Sequence, residues 1–529
     1  MVRAQNSQGM RLEFALTEAQ HEDVLDRLFG DRAEQRDDPE RGFLAVVNPA
    51  MGKYRRTLLL GQIIEPGEND VYWSHQKGLV VSHRYYSRAL SAIQSLPGAG
   101  LLNVHSHPGP ASGVGPPKPS PEDLETDATE LCFVSRALPE GRAAAAAIVT
   151  PSGGISLREY IFQRPRTAVE ATSRKFGPAG AKFCFAERVR IVGPGLRVLA
   201  GDPTRKQSGV NVNAKVTESS ILLWGQSGQQ VLSGLCIGIA GVGGVGGILA
   251  EHLARLGVGR LVLVEYDRME DANFNRSQGA KRSDVISRLP KVEVYGRIAK
   301  EAATAPDFRV DTYRASVAET EGLAPLLDSD IVVCAADDAF ARQVLDHAAY
   351  AHLIPVIDGG TTLVPDKVSH VLVAGKSQVV AAGAGHACLE CQGVYTQEEA
   401  TVARESASWR RYIEIGMSAN EETRQELRAP SVICSNALVA SLIGLRILAI
   451  ALRVTLATLR GTQRYYVESG TLSWGAIKEC KADCLKSSWR GLGDAHFIPV
   501  GVDLRWKALR EGMKKSITSR PRKKRGRKA

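Results

Sequence analysis

Two histidines separated by a single residue, His105 and His107, lie at the end of an apolar run that reads as a strand. Side chains at positions i and i+2 of a strand point to the same face, so both imidazoles can reach one ion. Asp123, a short loop later, could supply a third ligand, and the zinc ion would lower the pKa of a bound water towards about 7. A carboxylate must still accept the proton. We predict Glu40 for that role because it directly precedes a predicted strand.

A glycine-rich loop lies between a predicted strand at 235–240 and a helix that ends at Leu256. Such a loop lets phosphates approach the backbone at the helix N-terminus, and its glycines are Gly241, Gly243, Gly244 and Gly246. Glu265 ends the next predicted strand, where an acidic side chain binds ribose hydroxyls. On these features alone, an NAD-dependent oxidoreductase fits as well as an ATP-binding enzyme.

Three segments resemble motifs of the ThiF/MoeB-type, ubiquitin-activating adenylyltransferases. They are the segment from Glu265 to Arg276 with Asp267 and Asn273, the segment Leu289-Pro-Lys291-Val-Glu293, and the segment Cys334-Ala-Ala-Asp337-Asp338. The resemblance runs from about 231 to 485. It implies ATP and Mg²⁺ as cofactors. Arg276 and Lys291 would neutralise the negative charge that gathers when a carboxylate attacks the α-phosphate and pyrophosphate leaves, and Asp337 would hold magnesium. The resemblance also implies a ubiquitin-like protein as substrate, a separate conjugating enzyme and a homodimer formed through this domain.

The chain departs from that family pattern at three places. Glu265 stands where the family has Asp, and Ser277 stands where it has Gln. Residues 219–221 lie where relatives carry an arginine that reaches into the partner subunit's site.

Glu40, the His105-Ser-His107-Pro segment and the Ser120-Pro-Glu-Asp123 segment together resemble the motif of the JAB/JAMM (MPN) metallopeptidases. The resemblance implies His105, His107 and Asp123 as zinc ligands, Glu40 as acid/base and Ser120 as a residue that stabilises the oxyanion. The loop before Ser120 is longer than the family's usual loop, which leaves Asp127 as an alternative third ligand.

Five of the nine cysteines fall between residues 388 and 484. Cys388 and Cys391 have the spacing of a zinc knuckle, which Cys480 and Cys484 would close as a structural four-thiolate site. In the alternative alignment, Cys484 is the first cysteine of the second pair and Ser487 replaces the second.

Cys434 stands where several relatives of the adenylyltransferases carry a cysteine that takes up the activated carboxylate. A thiolate at a helix N-terminus is activated by the helix dipole. The alternative is a small buried residue at the start of a helix.

The elements that hold these residues fall into two patterns, so we predict an α/β chain with two domains. The first half alternates strands and helices irregularly, whereas strands at 235–240, 260–265, 330–335 and 354–358 alternate with helices, which implies a parallel doubly wound sheet. We assign an N-terminal α+β JAB/MPN domain to residues 1–165, a connector to 166–230, a Rossmann-like ThiF-type domain to 231–485, a C-terminal extension to 486–513 and a disordered basic tail to 514–529.

The net charge of +10 comes almost entirely from the tail, which holds nine basic residues and no acid. The tail either contacts nucleic acid or an acidic partner weakly, or merely aids solubility. The apolar stretch 437–454 is interrupted by polar and charged residues, so we expect a buried helix and no membrane span. Unpaired cysteines and the absence of a secretory segment in residues 1–10 favour the cytoplasm.

The two sites together predict an enzyme that processes and activates the C-terminus of a ubiquitin-like protein. The peptidase would mature a precursor or release modifiers from conjugates, and the adenylating domain would form an acyl adenylate and then a thioester. One alternative is the activation of a sulfur carrier for thiocarboxylate synthesis. Another is a peptidase joined to an inactive scaffold that binds the modifier.

Overall fold

Two large sheets organise the chain. A computed structural model describes residues 10–30, 40–74, 78–107, 115–161, 180–205, 211–366, 368–404, 430–452, 461–475, 479–503 and 506–511. The N-terminal sheet contains β1 (Arg11–Thr17), β2 (Gly42–Met51), β3 (Arg55–Ile64), β6 (Gly100–Ser106), β7 (Ala144–Val149), β8 (Ile155–Tyr160), β9 (Phe183–Phe185), β10 (Arg188–Val192) and β11 (Leu196–Ala200). A separate hairpin consists of β4 (Val71–Ser74) and β5 (Gly78–Val81).

Helices cover the N-terminal sheet, whose strand order is β11-β10-β1-β3-β2-β6-β7-β8-β9. The helices are α1 (Glu18–Leu28), α2 (His83–Gln94) and α3 (Pro121–Ala137). Strand residues alternate between the two faces. One face packs on α1 through Val24 and Leu28, and part of the other packs on α2 and α3. We call this unit the N-terminal domain.

The C-terminal domain is built on an eight-stranded sheet of order β14-β13-β12-β15-β16-β17-β18-β19. Its strands are β12 (Cys236–Ala240), β13 (Arg260–Val264), β14 (Arg309–Tyr313), β15 (Ile331–Cys334), β16 (Val356–Pro365), β17 (Leu372–Ala382), β18 (Thr462–Tyr466) and β19 (Thr471–Gly475). The five neighbouring strands β14, β13, β12, β15 and β16 are parallel. The pairs β16–β17, β17–β18 and β18–β19 are antiparallel. The predicted α/β class with a Rossmann-like parallel sheet is confirmed.

Helices pack on both faces of this sheet. They are α4 (Glu218–Gly234), α5 (Gly244–Arg255), α6 (Asp271–Phe274), α7 (Arg282–Ile286), α8 (Lys291–Ala302), α9 (Thr320–Leu326), α10 (Ala339–Ala351), α11 (Gln397–Arg404) and α12 (Ile433–Leu452). Among the described residues, α12 is the one helix long and apolar enough to cross a membrane, and 61% of its apolar window is buried in the protein. It packs against α5 and β16 with Val439, Ile443 and Ile447 in the core, as expected for a buried helix.

Residues 166–230, predicted to be a connector, contain regular elements instead. β9, β10 and β11 complete the N-terminal sheet, and α4 leads into the C-terminal sheet. In β10 the arginines Arg188 and Arg190 alternate with the buried Val189 and Ile191, and the two arginines contact a buried acidic pair. Residues 166–179 and 206–210 of the predicted connector, and the basic tail 514–529, lie outside the described residues.

That buried ion network joins the two domains. Arg55 Nη1 lies 3.3 Å from Glu13 Oε2 and 3.6 Å from Asp330 Oδ1. Arg188 Nη2 lies 2.8 Å from Asp330 Oδ1, and Arg190 Nε lies 3.2 Å from Glu13 Oε2. Burial alone would raise the pKa values of Glu13 and Asp330. The surrounding guanidinium groups outweigh this effect and lower both pKa values. Both carboxylates are therefore held in their charged form.

The N-terminal domain meets the amino ends of the parallel C-terminal strands. Asp330 directly precedes β15, and Arg190 Nη1 donates to the carbonyl of Leu353, just before β16. The backbone N–H groups of Tyr54 and Arg55 donate to the carboxylate of Asp328. The carboxyl ends of the C-terminal strands therefore lie away from this contact.

We expect Asp330→Ala to reduce the free energy of unfolding by about 3–5 kcal/mol, because it removes one of the two carboxylates that balance the charges of Arg55, Arg188 and Arg190. The matched control is Asp311→Ala, which breaks a pair with Arg260 but is 39% exposed and should cost less than about 1 kcal/mol. Since the folded-state pKa values of Glu13 and Asp330 lie below their ordinary values, this stabilisation is present above about pH 4 and is lost as the pH falls. Urea unfolding measures both effects, and equal losses from the two variants would contradict the prediction.

Candidate active site and metal centres

The predicted histidine site forms where β6 ends. His105 pairs with Gly42 at the start of β2, so the segment that enters β2 brings Glu40 close. Asp123 Oδ1 lies 3.4 Å from His105 Nε2, and Asp123 Oδ2 lies 3.1 Å from His107 Nε2. Glu40 Oε1 lies 3.9 Å from His107 Nε2. The structure therefore brings together four residues from three separate segments.

Asp123 is oriented by the start of α3. Ser120 is the N-cap of α3: its Oγ accepts from the Asp123 N–H at 3.0 Å, and Asp123 Oδ2 accepts from the Ser120 N–H at 2.6 Å. Ser120 thus positions Asp123, while its predicted role towards an oxyanion stays a prediction. Residues 108–114, which include most of the long loop, lie outside the described residues.

The residues of this site fit a metal ion. One ligand atom from each of His105, His107 and Asp123 lies within 4.8 Å of the others. Among the residues that the structure describes, His105 Nε2 is buried and has no well-formed hydrogen bond, as suits an atom that faces an ion. The alternative ligand Asp127 is buried in an ion pair with Arg158, so the geometry favours Asp123.

Glu40 is half-buried beside these groups. Burial raises the pKa of its carboxyl group, and the two neighbouring histidines oppose that shift. A carboxyl group with a raised pKa accepts and returns a proton more readily near neutral pH. This is the property required of an acid/base residue.

The second predicted site is a cavity of about 510 Å³ at the carboxyl ends of the parallel C-terminal strands. Its walls include nine of the predicted residues: Gly241, Gly243, Gly244, Glu265, Asp267, Asn273, Arg276, Lys291 and Asp337. Gly246 is not in the lining. It lies inside α5, where a Cβ would come 2.0 Å from the carbonyl oxygen of Gly241. Gly241 itself has φ +87°, so both glycines are needed for the turn from β12 into α5.

One wall of the cavity carries a charged cluster. Lys291 Nζ lies 3.0 Å from Asp267 Oδ2, and Glu265 Oε1 accepts from the N–H groups of Tyr266 and Asp267. Burial would lower the pKa of Lys291, but Glu265 and Asp267 outweigh it and raise the pKa. Lys291 is therefore held as a cation beside the place where phosphates would lie.

Two further polar residues of the cavity, Asn436 and Arg342, belong to none of the motifs recognised in the sequence. Asn436 on α12 donates to Ser431 Oγ at 3.1 Å, and a Cβ at Gly244 would come 2.3 Å from Asn436 Nδ2. Arg342 on α10 lies 2.9 Å from Asp358 Oδ2. They come from segments distant from the glycine loop, and only the packing of α10 and α12 brings them there.

Cys434 is exposed at the start of α12, three residues after Ser431. The interpretation of Cys434 as a small buried residue is wrong. Its predicted role as an acceptor of the activated carboxylate stays a prediction. A polar stretch, residues 395–429, precedes α12, and residues 405–429 of it lie outside the described residues.

Four cysteines form the second group that fits a metal. The sulfur atoms of Cys388, Cys391, Cys480 and Cys484 all lie within 4.8 Å of one another, and the distance from Cys388 Sγ to Cys484 Sγ is 3.8 Å. A tetrahedral zinc site with Zn–S bonds of about 2.3 Å requires about 3.8 Å between sulfurs. Ser487 instead donates to the carbonyl of Cys484 at 3.3 Å, so the four-thiolate set is the one that the structure assembles.

We expect the purified protein to contain two zinc ions per chain. Cys388→Ser should remove one equivalent and lower the unfolding temperature, because structural zinc contributes directly to folding. His105→Ala should remove the other. Cys184→Ser is the control, since this half-buried thiol lies on β9 apart from both clusters. Metal analysis of the variants measures the outcome, and zinc content unchanged by Cys388→Ser would contradict the knuckle.

A protein-family model described as the ThiF family matches residues 217–485, about half of the chain. The chain belongs to the ThiF family. The matched residues include the whole glycine loop, the charged cluster around Lys291 and all four knuckle cysteines. The ThiF region begins with α4, so α4 belongs to this domain rather than to a connector.

Curated relatives support the same region. Ubiquitin-like modifier-activating enzyme 5 of Drosophila melanogaster is 28% identical over 171 residues, which cover 29% of this chain and 38% of the relative. The enzyme of the same name from Oryza sativa subsp. japonica is 30% identical over 168 residues, which cover 29% of this chain and 37% of the relative. Molybdopterin-synthase adenylyltransferase of Escherichia coli (strain K12) is 29% identical over 134 residues, or 25% of this chain and 51% of the relative. The matches thus span about half of these relatives or less.

Among solved structures, Escherichia coli MccB with ATP matches with a TM-score of 0.38 and 17% identity, over 49% of this chain and 68% of that chain. The structure of MccB with N-formylated MccA matches with a TM-score of 0.42 and 17% identity, over 53% and 76% of the two chains.

Proposed function

We propose that the ThiF domain adenylates the C-terminal carboxylate of a ubiquitin-like protein. The observation that carries the proposal is the cavity at the ends of β12, β13 and β15. It brings together the glycine loop, the cations Arg276 and Lys291, and the carboxylate of Asp337. The names of the curated relatives, which include ubiquitin-like modifier-activating enzymes and a molybdopterin-synthase adenylyltransferase, support this class of substrate.

Each side chain has a role that follows from its place. The backbone N–H groups at the start of α5 bind phosphate oxygens, and Glu265 accepts from the ribose hydroxyls. Arg276 and Lys291 stabilise the charge that develops on the α-phosphate as the carboxylate attacks and pyrophosphate leaves. Asp337, exposed at the mouth of the cavity, would hold the magnesium ion that accompanies ATP. The Cys434 thiolate would then attack the acyl adenylate, forming a thioester and releasing AMP, and the acyl group would pass to a conjugating enzyme.

A second activity is favoured by the histidine cluster of the N-terminal domain. We propose that this domain is a JAB/JAMM-type peptidase that cleaves after the modifier's C-terminal glycine. His105, His107 and Asp123 would hold zinc, which when bound lowers the pKa of water and polarises a carbonyl group. Glu40 would take the proton from that water and deliver it to the leaving amine, and Ser120 holds Asp123 in place.

ATP–pyrophosphate exchange tests the adenylation. The parent protein is incubated with ATP, Mg²⁺, labelled pyrophosphate and ubiquitin-like proteins that end in a free glycine carboxylate. Exchange that depends on one of these proteins is expected, and replacement of ATP by NAD should give none. A domain that binds the modifier without exchange would be the scaffold alternative. Mass spectrometry of the products separates a Cys434 thioester from a thiocarboxylate, the product of sulfur-carrier activation.

A further inference from the structure

The cavity is completed by residues beyond the ThiF region. The family match ends at residue 485, yet Val502, Asp503 and Ala508 line the cavity. We call residues 498–503 and 506–511 the C-terminal cover. The residues between the knuckle and the cover also contact the N-terminal domain, because Asn48 Nδ2 donates to the carbonyl of Gly491 at 2.8 Å. The route of the cover is therefore fixed at both domains before it reaches the cavity.

The cover is attached to the loop that follows β14. The N–H of Gly501 donates to the carbonyl of Ala318 at 2.9 Å. Ser316 Oγ donates to Asp503 Oδ2 at 2.6 Å, and the Asp503 N–H donates to Glu319 Oε1 at 3.1 Å. Residues 315–318 line the cavity as well, so cover and loop form one continuous wall.

An aromatic pair continues this wall. Trp506 is 6% exposed, and its ring stacks on Tyr266 with 5.5 Å between centroids and 22° between planes. Arg510 lies over the Trp506 ring at 5.2 Å and pairs with Glu319 at 2.9 Å. Tyr266 lines the cavity, whereas Trp506 lies behind it. Trp506 therefore acts through Tyr266, as a positioning residue.

The position of this wall relative to the expected phosphate and ribose sites indicates which part of a nucleotide it would contact. The glycine loop takes the phosphates at α5, and Glu265 at the end of β13 takes the ribose. β14 is the next strand beyond β13 in the sheet. The part of the cavity at the end of β14 is therefore left for the base.

We propose that the C-terminal cover forms the base end of the nucleotide site, with Asp503 as a binding residue and Trp506 as the residue that positions Tyr266. The inference rests on the proposed function and extends it, since binding of the base then depends on a segment outside the ThiF region. Asp503 Oδ1 accepts from the Trp506 N–H at 3.1 Å and Oδ2 accepts from Ser316 Oγ. Each oxygen of an ionised carboxylate can accept a second hydrogen bond, so Asp503 can also accept from the N–H groups at the edge of a base.

The experiment compares two probes in the full-length protein, Mg–ATP and inorganic tripolyphosphate, which lacks the base and ribose. Trp506→Ala and Asp503→Ala should each weaken ATP binding by about 10-fold, the effect of losing one good contact. Both should leave tripolyphosphate binding, measured by competition, within about twofold. Trp506→Phe should retain ATP binding because the ring stack is kept. The control Lys507→Ala changes an exposed neighbour that does not line the cavity.

Lys291→Ala should weaken both probes, which identifies the phosphate end. ATP binding unchanged in Trp506→Ala and Asp503→Ala would overturn the inference while leaving the proposed function intact. Equal loss of both probes in these variants would also overturn it, because the cover would then support the whole domain rather than the base end. A parent protein that binds neither probe would refute the nucleotide site itself, and modifier-dependent exchange would then be absent as well.

Discussion

Glu40→Gln is expected to slow cleavage after a modifier's C-terminal glycine by about 10²- to 10⁴-fold, the range that general acid–base catalysis contributes. Glutamine keeps the size of the side chain but cannot take up a proton. Glu40 Oε1 lies 3.9 Å from His107 Nε2, close enough to share a water with the metal site. Zinc content should be unchanged, because His105, His107 and Asp123 remain.

The matched control is Glu122→Gln, an exposed residue beside Asp123 on α3. Cleavage rates and zinc content are measured for the parent and both variants, with a modifier fused to a short C-terminal extension. A Glu40→Gln enzyme as fast as the parent would show that another group is the base. Loss of zinc in Glu40→Gln would instead place Glu40 among the ligands.

Under the proposed function, Asp337→Asn should suppress ATP–pyrophosphate exchange by about 100-fold or more, because that carboxylate would hold the magnesium ion that offsets the developing phosphate charge. Asp337 lines the cavity and is exposed at its mouth, so the isosteric change should not disturb the core. Asp271→Asn is the control, since Asp271 is exposed and outside the cavity lining. Peptidase activity should be the same in all three proteins. Exchange that survives Asp337→Asn would contradict the assigned role.

The residues that could be predicted from the sequence share one property: they lie in short motifs attached to the ends of strands. The glycine loop, Lys291 and the histidine pair were found because strand ends and helix starts fix where such side chains point. The cysteine knuckle was found by spacing. In each case the local sequence determines the local geometry.

The features that could not be predicted depend on contacts between distant segments. β10 was missed because its alternate residues are arginines that are stable in the interior only beside Glu13 and Asp330. Asn436 enters the cavity through the packing of α12 on α5. The C-terminal cover falls within the predicted extension 486–513, and nothing in its composition indicates that it reaches the loop after β14.

The position of the contact between the domains determines how a modifier could move from the histidine site to the nucleotide cavity. The histidine site lies beside Gly42 at one end of β2, whereas Met51 at the other end contacts Asp494 near the C-terminal domain, and ten strand residues span roughly 30 Å. The nucleotide cavity lies beyond β15 on the far side of that contact. A fully extended chain covers at most about 3.6 Å per residue, so about nine residues would be needed to follow the length of β2 alone. Under the proposed function, a modifier with a shorter flexible tail leaves the histidine site before it enters the nucleotide cavity.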